Sequence, residues 1–396
     1  MCAFLDIFEL YEFFLKVLKK YGRDAIIMTN ILSEMNDMNI NCEKLPLKID
    51  AGLWNNGHIQ GIAVDPINEF IYYSFTTLLV KAKFDGTIVG SVKGLVGHLG
   101  CIDFNDEDGK VYGSLELKHD SIGQGIMRTT GIKIADEDAF YIAVFEVDKI
   151  NAMDMDAEKD GVMRAVYIPQ VAEWYAYVDE KNGIQHKFAC SGIDGTAIGP
   201  VFGEGKESPT MLMVACGIYG DNNRQDNDNN IIMQFDWREF DKIAQPLTQL
   251  EPHHIGVNPD KTYFLFTGNT TWGIQNLEYD AYDNSWIVAV YNGKKPEYPN
   301  FPTYIIDGDV KPIENYVQYG EKGLNLTLKK TGIRHEATGI WGNNFEKGET
   351  GIYAFGNGYY YVSYNFKTPE KLNGSVIKLC KRSGNEEIPF ETILKD

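Results

Sequence analysis

The chain has 396 residues, and 37 Lys+Arg against 56 Asp+Glu give it a formal charge of −19. A field of that sign repels phosphate backbones and anionic lipid, which argues against nucleic acid and membrane surfaces as partners and favours cations or neutral ligands such as sugars. Aromatic residues make up 13%, and 39 Gly stand against 14 Pro, a bias towards pleated strands joined by tight turns and away from a helical protein.

At the N-terminus, residues 3–18 are rich in Phe and Leu but interrupted by Asp6, Glu9, Glu12 and Lys16. That pattern suits neither a secretory signal nor an apolar span of roughly 20 residues. Phe4, Ile7, Phe8, Tyr11, Leu15 and Leu18 recur at helical spacing, which predicts an amphipathic helix over 4–20. Its apolar face would pack on the rest of the chain or on a second copy, giving a homodimer. The alternative is an appendage, with the ordinary start near Met28. Residues 1–45 thus read as a helical extension and 46–396 as the main domain. The cysteines at 2, 42, 101, 190, 216 and 380 form no CxxC pair. They read as small buried hydrophobes in a reducing, cytoplasmic compartment.

From Gly57 the chain turns to strands. Residues 59–64, 70–75, 78–84 and 88–92 each alternate or run apolar, with Asp85-Gly86 as a hairpin turn, so four strands fill about 35 residues without a helix. The opening then recurs. His98-Leu-Gly-Cys-Ile-Asp aligns without a gap on His58-Ile-Gln-Gly-Ile-Ala, Asp194-Gly-Thr-Ala-Ile-Gly on Gln60-Gly-Ile-Ala-Val-Asp, and Gln275-Asn-Leu-Glu-Tyr-Asp on the same hexad. A looser copy starts at His335-Glu-Ala-Thr-Gly-Ile. Five openings predict an all-β, five-bladed β-propeller of four-stranded antiparallel blades. Blades are expected over 58–94, 97–172, 186–268, 270–330 and 333–394, with 40–50 closing the ring. Small residues after each opening suit inner strands, where neighbouring blades crowd together.

The stretch Gly61-Ile-Ala-Val-Asp-Pro, followed by Ile71-Tyr-Tyr-Ser, resembles the inner strands of NHL-type and gluconolactonase/regucalcin-like propellers. That resemblance implies a divalent metal in the channel, held by an early Glu and later Asn and Asp residues. Where those enzymes carry Glu-Gly-Pro, this chain reads His58-Ile-Gln60.

In such a meander, the entrance to each inner strand and the loop after each second strand share one face of the disc. His58, Gln60, His98, Asp194, Gln275, His335 and Glu336 fall at entrances; Lys118, His119 and Asp120 reach the same rim. Converging imidazoles and carboxylates bind a metal or act as acid and base. The expectation makes His58, His98 and His335 the ligands of one divalent metal and His98, His335 and Glu336 the catalytic groups. Gln60, His119, Asp120, Arg128, Asp194, Trp272 and Gln275 join His58 in binding the ligand. The loop 120–138, with Gly123, Gly125 and Gly131, is expected to cover the mouth as a mobile lid. The alternative for each residue is a hydrogen bond between blades. Trp272, Tyr279 and Trp341 would stack on a sugar ring or pack in the core. The run 221–230 lacks the Gly and closing Glu of a calcium loop and reads as a solvated turn. Two functions follow: a hydrolase or lyase acting on a sugar-like small molecule, or a non-catalytic propeller that presents its loops to a ligand or protein.

Overall fold

In the computed structural model, residues 42–394 are described. The chain divides into two compact units, 1–44 and 45–396; the predicted N-terminal helix lies outside the described residues.

The second unit is a five-bladed β-propeller. Blade 1 runs Ile59–Asp65, Phe70–Phe75, Leu78–Lys83 and Ile88–Lys93, each antiparallel to the last. Blade 2 runs His98–Asn105, Lys110–Leu117, Ala139–Phe145 and Met163–Tyr167. Blade 3 runs Cys190–Pro200, Thr210–Ile218, Asn229–Phe235 and Lys261–Phe266, and the hairpin Ile313–Tyr316/Lys322–Asn325 is laid parallel along its outer edge. Blade 4 departs from the expected four strands: Thr270–Asp280, Ser285–Asn292 and Thr303–Asp307 are followed by isolated bridges from Ile306 to Leu328 and from Thr303 to Asn343. Blade 5 runs Ile352–Ala354, Tyr359–Lys367 and Asn373–Arg382, and its outermost strand is Lys48–Trp54 from the start of the unit. The ring therefore closes by pairing its two chain ends, near the segment anticipated for it.

The fifth opening was misplaced. His335 sits beside the two-residue strand Ile333–Arg334, which pairs with Trp341–Gly342 in a separate hairpin. The inner strand of blade 5 begins at Ile352, after the turn Gly348–Thr350. A His-x-x-x-Gly-Ile pattern sets local alternation only; it does not supply the second strand that makes an inner strand.

One hydrophobic cluster fills each junction between neighbouring blades: blades 1 and 2, 2 and 3, 3 and 4, 5 and 1, and 4 and 5. Each sheet thus buries both faces, which is why inner and second strands read as near-continuous apolar runs. At the axis, Gly61 lies so close to the Cys101 backbone that a Cβ would stand 2.9 Å from it. Cys101, Cys190, Cys216 and Cys380 are buried, as their apolar settings suggest. The run 221–230 is more than a solvated turn: Asp226 pairs with Arg224, and Asp228 takes the buried ammonium of Lys295 at 2.5 Å. No helix among the described residues is long and apolar enough to cross a membrane.

Candidate functional site

Four consecutive inner strands carry a β-bulge at the same level. Blade 1 pairs Ile59 with Phe75 and Gly61 with Ser74, leaving Gln60 as the extra residue. Blade 2 slips between Leu99 and Ile102, blade 3 between Ile193 and Thr196, and blade 4 between Ile274 and Asn276. The slips fall on Gly100-Cys101, Asp194-Gly195 and Gln275, the positions that align with Gln60 in sequence. A bulge bends its strand and re-aims the side chain there. In blades 1, 3 and 4 it turns Gln60, Asp194 and Gln275 towards one mouth of the channel.

The result is a cavity of about 260 Å³ at one mouth of the channel. Inner-strand entrances supply His58, Gln60, His98, Asp194, Trp272 and Gln275 to its wall, and second-strand ends supply Thr76, Glu116, Lys118 and Tyr291. Gly100 is what admits Asp194, since a Cβ at 100 would overlap Asp194 Oδ1.

Its chemistry centres on a buried charge network. Lys118 Nζ lies 2.8 Å from Glu116 Oε2 and 3.4 Å from Asp120 Oδ2, and donates to the Ser191 carbonyl at 2.7 Å. The Ile193 amide donates to Glu116 Oε1 at 2.6 Å. Burial disfavours the Lys118 ammonium, but Glu116 and Asp120 outweigh it and hold its pKa above the ordinary value. His98 is 8% exposed. Its Nδ1 stands 3.5 Å from Glu116 Oε2, within ion-pair reach but without a hydrogen bond. Burial opposes the imidazolium, yet Glu116 and Asp194 together raise its pKa. Asp194 is buried beside them, and burial pushes its carboxyl up to about 7 against the pull of His98. Burial, with His98 next, lowers His58, whose Nε2 lies 3.4 Å from the Tyr291 hydroxyl. Gln60 donates to Thr76 Oγ1 at 3.2 Å and Gln275 to the Trp272 carbonyl at 3.2 Å. Trp272 holds a φ of +68°, with its ring 5.6 Å from that of Tyr219.

Below this layer Asn276 plugs the axis. It donates to the Gln60 carbonyl at 2.8 Å and the Glu349 carbonyl at 3.0 Å, and its Oδ1 lies 3.3 Å from Cys101 Sγ. Further along the inner strands, burial pushes Asp103 to about 7 and Glu278 well above the ordinary range.

Other sequence candidates lie elsewhere. His335 bonds Thr338 Oγ1 at 2.8 Å on its hairpin, where Glu336 pairs with Arg334 in solvent. Without His335 the proposed metal triad does not assemble, and among the described residues no three His, Cys, Asp or Glu side chains cluster as metal ligands. The cation beside Glu116 is Lys118. His119 pairs with Asp138 at 3.1 Å, half-buried beside the cavity. Asp120 caps the helix α1 (Ser121–Thr130), accepting from the Ile122 and Gly123 amides at 3.0 Å each. The segment expected as a mobile lid thus begins with a helix. Gly123 and Gly125 lie inside it, Gly131 ends it in the left-handed region, and Arg128 is exposed on it. Only Ile122 of α1 reaches the cavity. Tyr279 packs on Trp286, ring centres 5.2 Å apart, and Trp341 belongs to the outer hairpin.

Lys118 was placed at the rim without a role, and Glu116, Thr76 and Tyr291 were not among the candidates. A signal was present: Glu116 near the end of the second strand and Lys118 just past it are charges two apart, and so share one face.

No family model matches the chain, and no curated protein matches it in sequence. Among solved structures it is similar to the pyranose dehydrogenase PQQ domain of Coprinopsis cinerea, at 13% identity over 80% of this chain and 81% of that one, with a TM-score of 0.34. The soluble aldose sugar dehydrogenase of Escherichia coli is 9% identical over 83% and 97%, at 0.35. An exo-1,5-α-L-arabinanase from a bovine ruminal metagenomic library is 9% identical over 86% and 99%, at 0.37.

Proposed function

We propose that the channel mouth binds a small, neutral, polyhydroxylated molecule, sugar-like in its chemistry, and that His98 and Asp194 pass a proton to and from it. The observation that carries this reading is the set of four aligned bulges: three aim Gln60, Asp194 and Gln275 into one cavity, and the fourth, at Gly100, makes room for Asp194. Strain and irregularity repeated at one level mark a site more than a core.

The chemistry of the wall supports a neutral ligand. Lys118 is already held by Glu116 and Asp120 and offers no free cation to an anion. The amides of Gln60 and Gln275 and the hydroxyls of Thr76 and Tyr291 are donors and acceptors suited to hydroxyl groups. The Trp272 ring supplies the flat apolar face that stacks on a pyranose. A carboxyl near 7 exists in both protonation states close to neutral pH, and the imidazole of His98, its pKa raised by Glu116 and Asp194, lies beside it. That pair fits hydrolysis or proton abstraction on such a ligand. One observation favours binding without turnover: Glu116 and Lys118 satisfy each other, as in a structural network.

Titrating the protein with neutral monosaccharides and aldonolactones tests the reading, using calorimetry for binding and product assays for turnover. Binding is expected for at least one probe, with loss in His98→Gln. Turnover falling at least about 100-fold in Asp194→Asn marks a proton-transfer role. Binding that ignores both changes, or no binding at all, overturns the site.

A further inference from the structure

A second cavity, of about 420 Å³, adjoins the channel mouth and runs between blade 1 and α1. The two share Thr76 and Ile122 in their walls, so they meet at one saddle. Gly57 packs against Thr76 in the wall of the second cavity, where φ is +93° and a Cβ would overlap Thr76 Oγ1.

The second cavity is unlike the first. Asn55, Asn56 and Thr77 line one side and Thr129 and Thr130 the other, and no charged side chain takes part, in a chain that is 23% charged. Their groups retain capacity. Asn56 donates to Thr77 Oγ1 at 3.1 Å, leaving its carbonyl oxygen open, and Thr129 donates its hydroxyl proton to the Gly125 carbonyl at 2.9 Å, leaving oxygen lone pairs. Amides and hydroxyls around a groove, with Ile126 as an apolar floor, suit the alternating hydroxyls and ring faces of a sugar. A proton-moving pair sits in the first cavity; the second has nothing to titrate.

From this we infer that the ligand is longer than one unit: its terminal sugar occupies the channel mouth, and the next lies in the neutral groove along α1, with the linkage over Thr76 and Ile122. The natural ligand class is then a neutral oligosaccharide or a glycoside. This rests on the reading of the channel mouth as a sugar site.

The test compares glucose with maltose and cellobiose, and xylose with xylobiose, by calorimetry on the full chain. At least one disaccharide is expected to bind more than about tenfold tighter than its own monosaccharide, the effect of about 1.4 kcal/mol. Gly125→Trp fills the groove. The position is open, a Cβ there meeting only Arg128 Nη2 at 4.0 Å, and losing a helical glycine does not weaken the helix. The variant should melt no lower than the parent, keep monosaccharide affinity within about twofold and lose the disaccharide advantage. Thr129→Ala should reduce that advantage without filling the groove. If a monosaccharide binds and no disaccharide gains, or the gain survives Gly125→Trp, the extended site is wrong while the channel site stands. If neither class binds, the channel site falls and the extension with it.

Discussion

Trp272 keeps a backbone conformation that few bulky side chains adopt, and holding it there costs of order 1–3 kcal/mol. Glycine would relieve that strain while removing the ring from the cavity wall. Trp272→Gly should therefore leave stability within about 1 kcal/mol, since the lost contact with Tyr219 and the relieved strain offset each other, yet abolish sugar binding. Parallel denaturation and calorimetry check this; a large stability loss would make the ring structural. Lys118 sits at the opposite extreme. It is 3% exposed and its ammonium neutralises Glu116, so Lys118→Met leaves a buried carboxylate uncompensated, at about 3–5 kcal/mol. Glu116→Gln added to it should restore much of that. A single variant as stable as the parent in urea would refute the pairing.

At the scale of elements, closure rests on Lys48–Trp54. It covers the edge of Asn373–Arg382 over residues 373–378, beyond which Phe390–Thr392 pairs, and its Ile49 and Ala51 are buried with the blade 5 and blade 1 side chains. A chain beginning at residue 45 should keep the ring. One beginning at residue 56 loses the strand, and Ile49 alone is worth roughly 1.5–3 kcal/mol of burial. The exposed edge should also promote aggregation. Limited proteolysis of the two chains decides the matter, and equal resistance would show that the ring does not depend on this strand. The helix α1 illustrates a different constraint. The three glycines of its segment suggested motion, but Gly123 is there because a Cβ would overlap the Lys118 carbonyl, and Gly131 because the helix ends with φ +71°.

Over the whole molecule, buried carboxyls near the axis shape the response to pH. Burial, first of all, displaces Asp103 and Asp194 to about 7. An unfolded chain releases these protons near pH 4, so between there and pH 7 the native state holds more protons, and stability falls as pH rises. His98, raised above the ordinary imidazole value, has the same sign: its stabilisation is complete below that value and fades as pH climbs through the folded pKa. On the acid side Asp241, held low by hydrogen bonds from Lys110 and Arg164, contributes stability that is lost as pH drops. The melting temperature should peak at about pH 5 and decline towards pH 8. Asp194→Asn should flatten that decline by up to about 4 kcal/mol, at about 1.4 kcal/mol per pH unit of displacement. Scanning calorimetry across that range checks it; a flat or rising profile would mean these carboxyls ionise freely in the fold.

Periodicity and local repetition carried the blades. The gap-free hexads at Gln60, Gly100, Asp194 and Gln275 share a bulge because the same small and polar residues meet the same crowding at the axis, and that requirement is written locally. Hence His58, His98, Asp194, Trp272 and Gln275 could be placed at one mouth from sequence. His335 could not be rejected that way, since strand alternation is the same in an outer hairpin as in an inner strand, and only pairing with Tyr359–Lys367 identifies Ile352–Ala354 as the fifth. Nor could the sequence reveal that Lys118 rather than a metal answers Glu116, or that α1 walls a second cavity. Those facts depend on distances between blades, which the chain sets only when the ring closes and five separate hydrophobic junctions fix the sheets against one another.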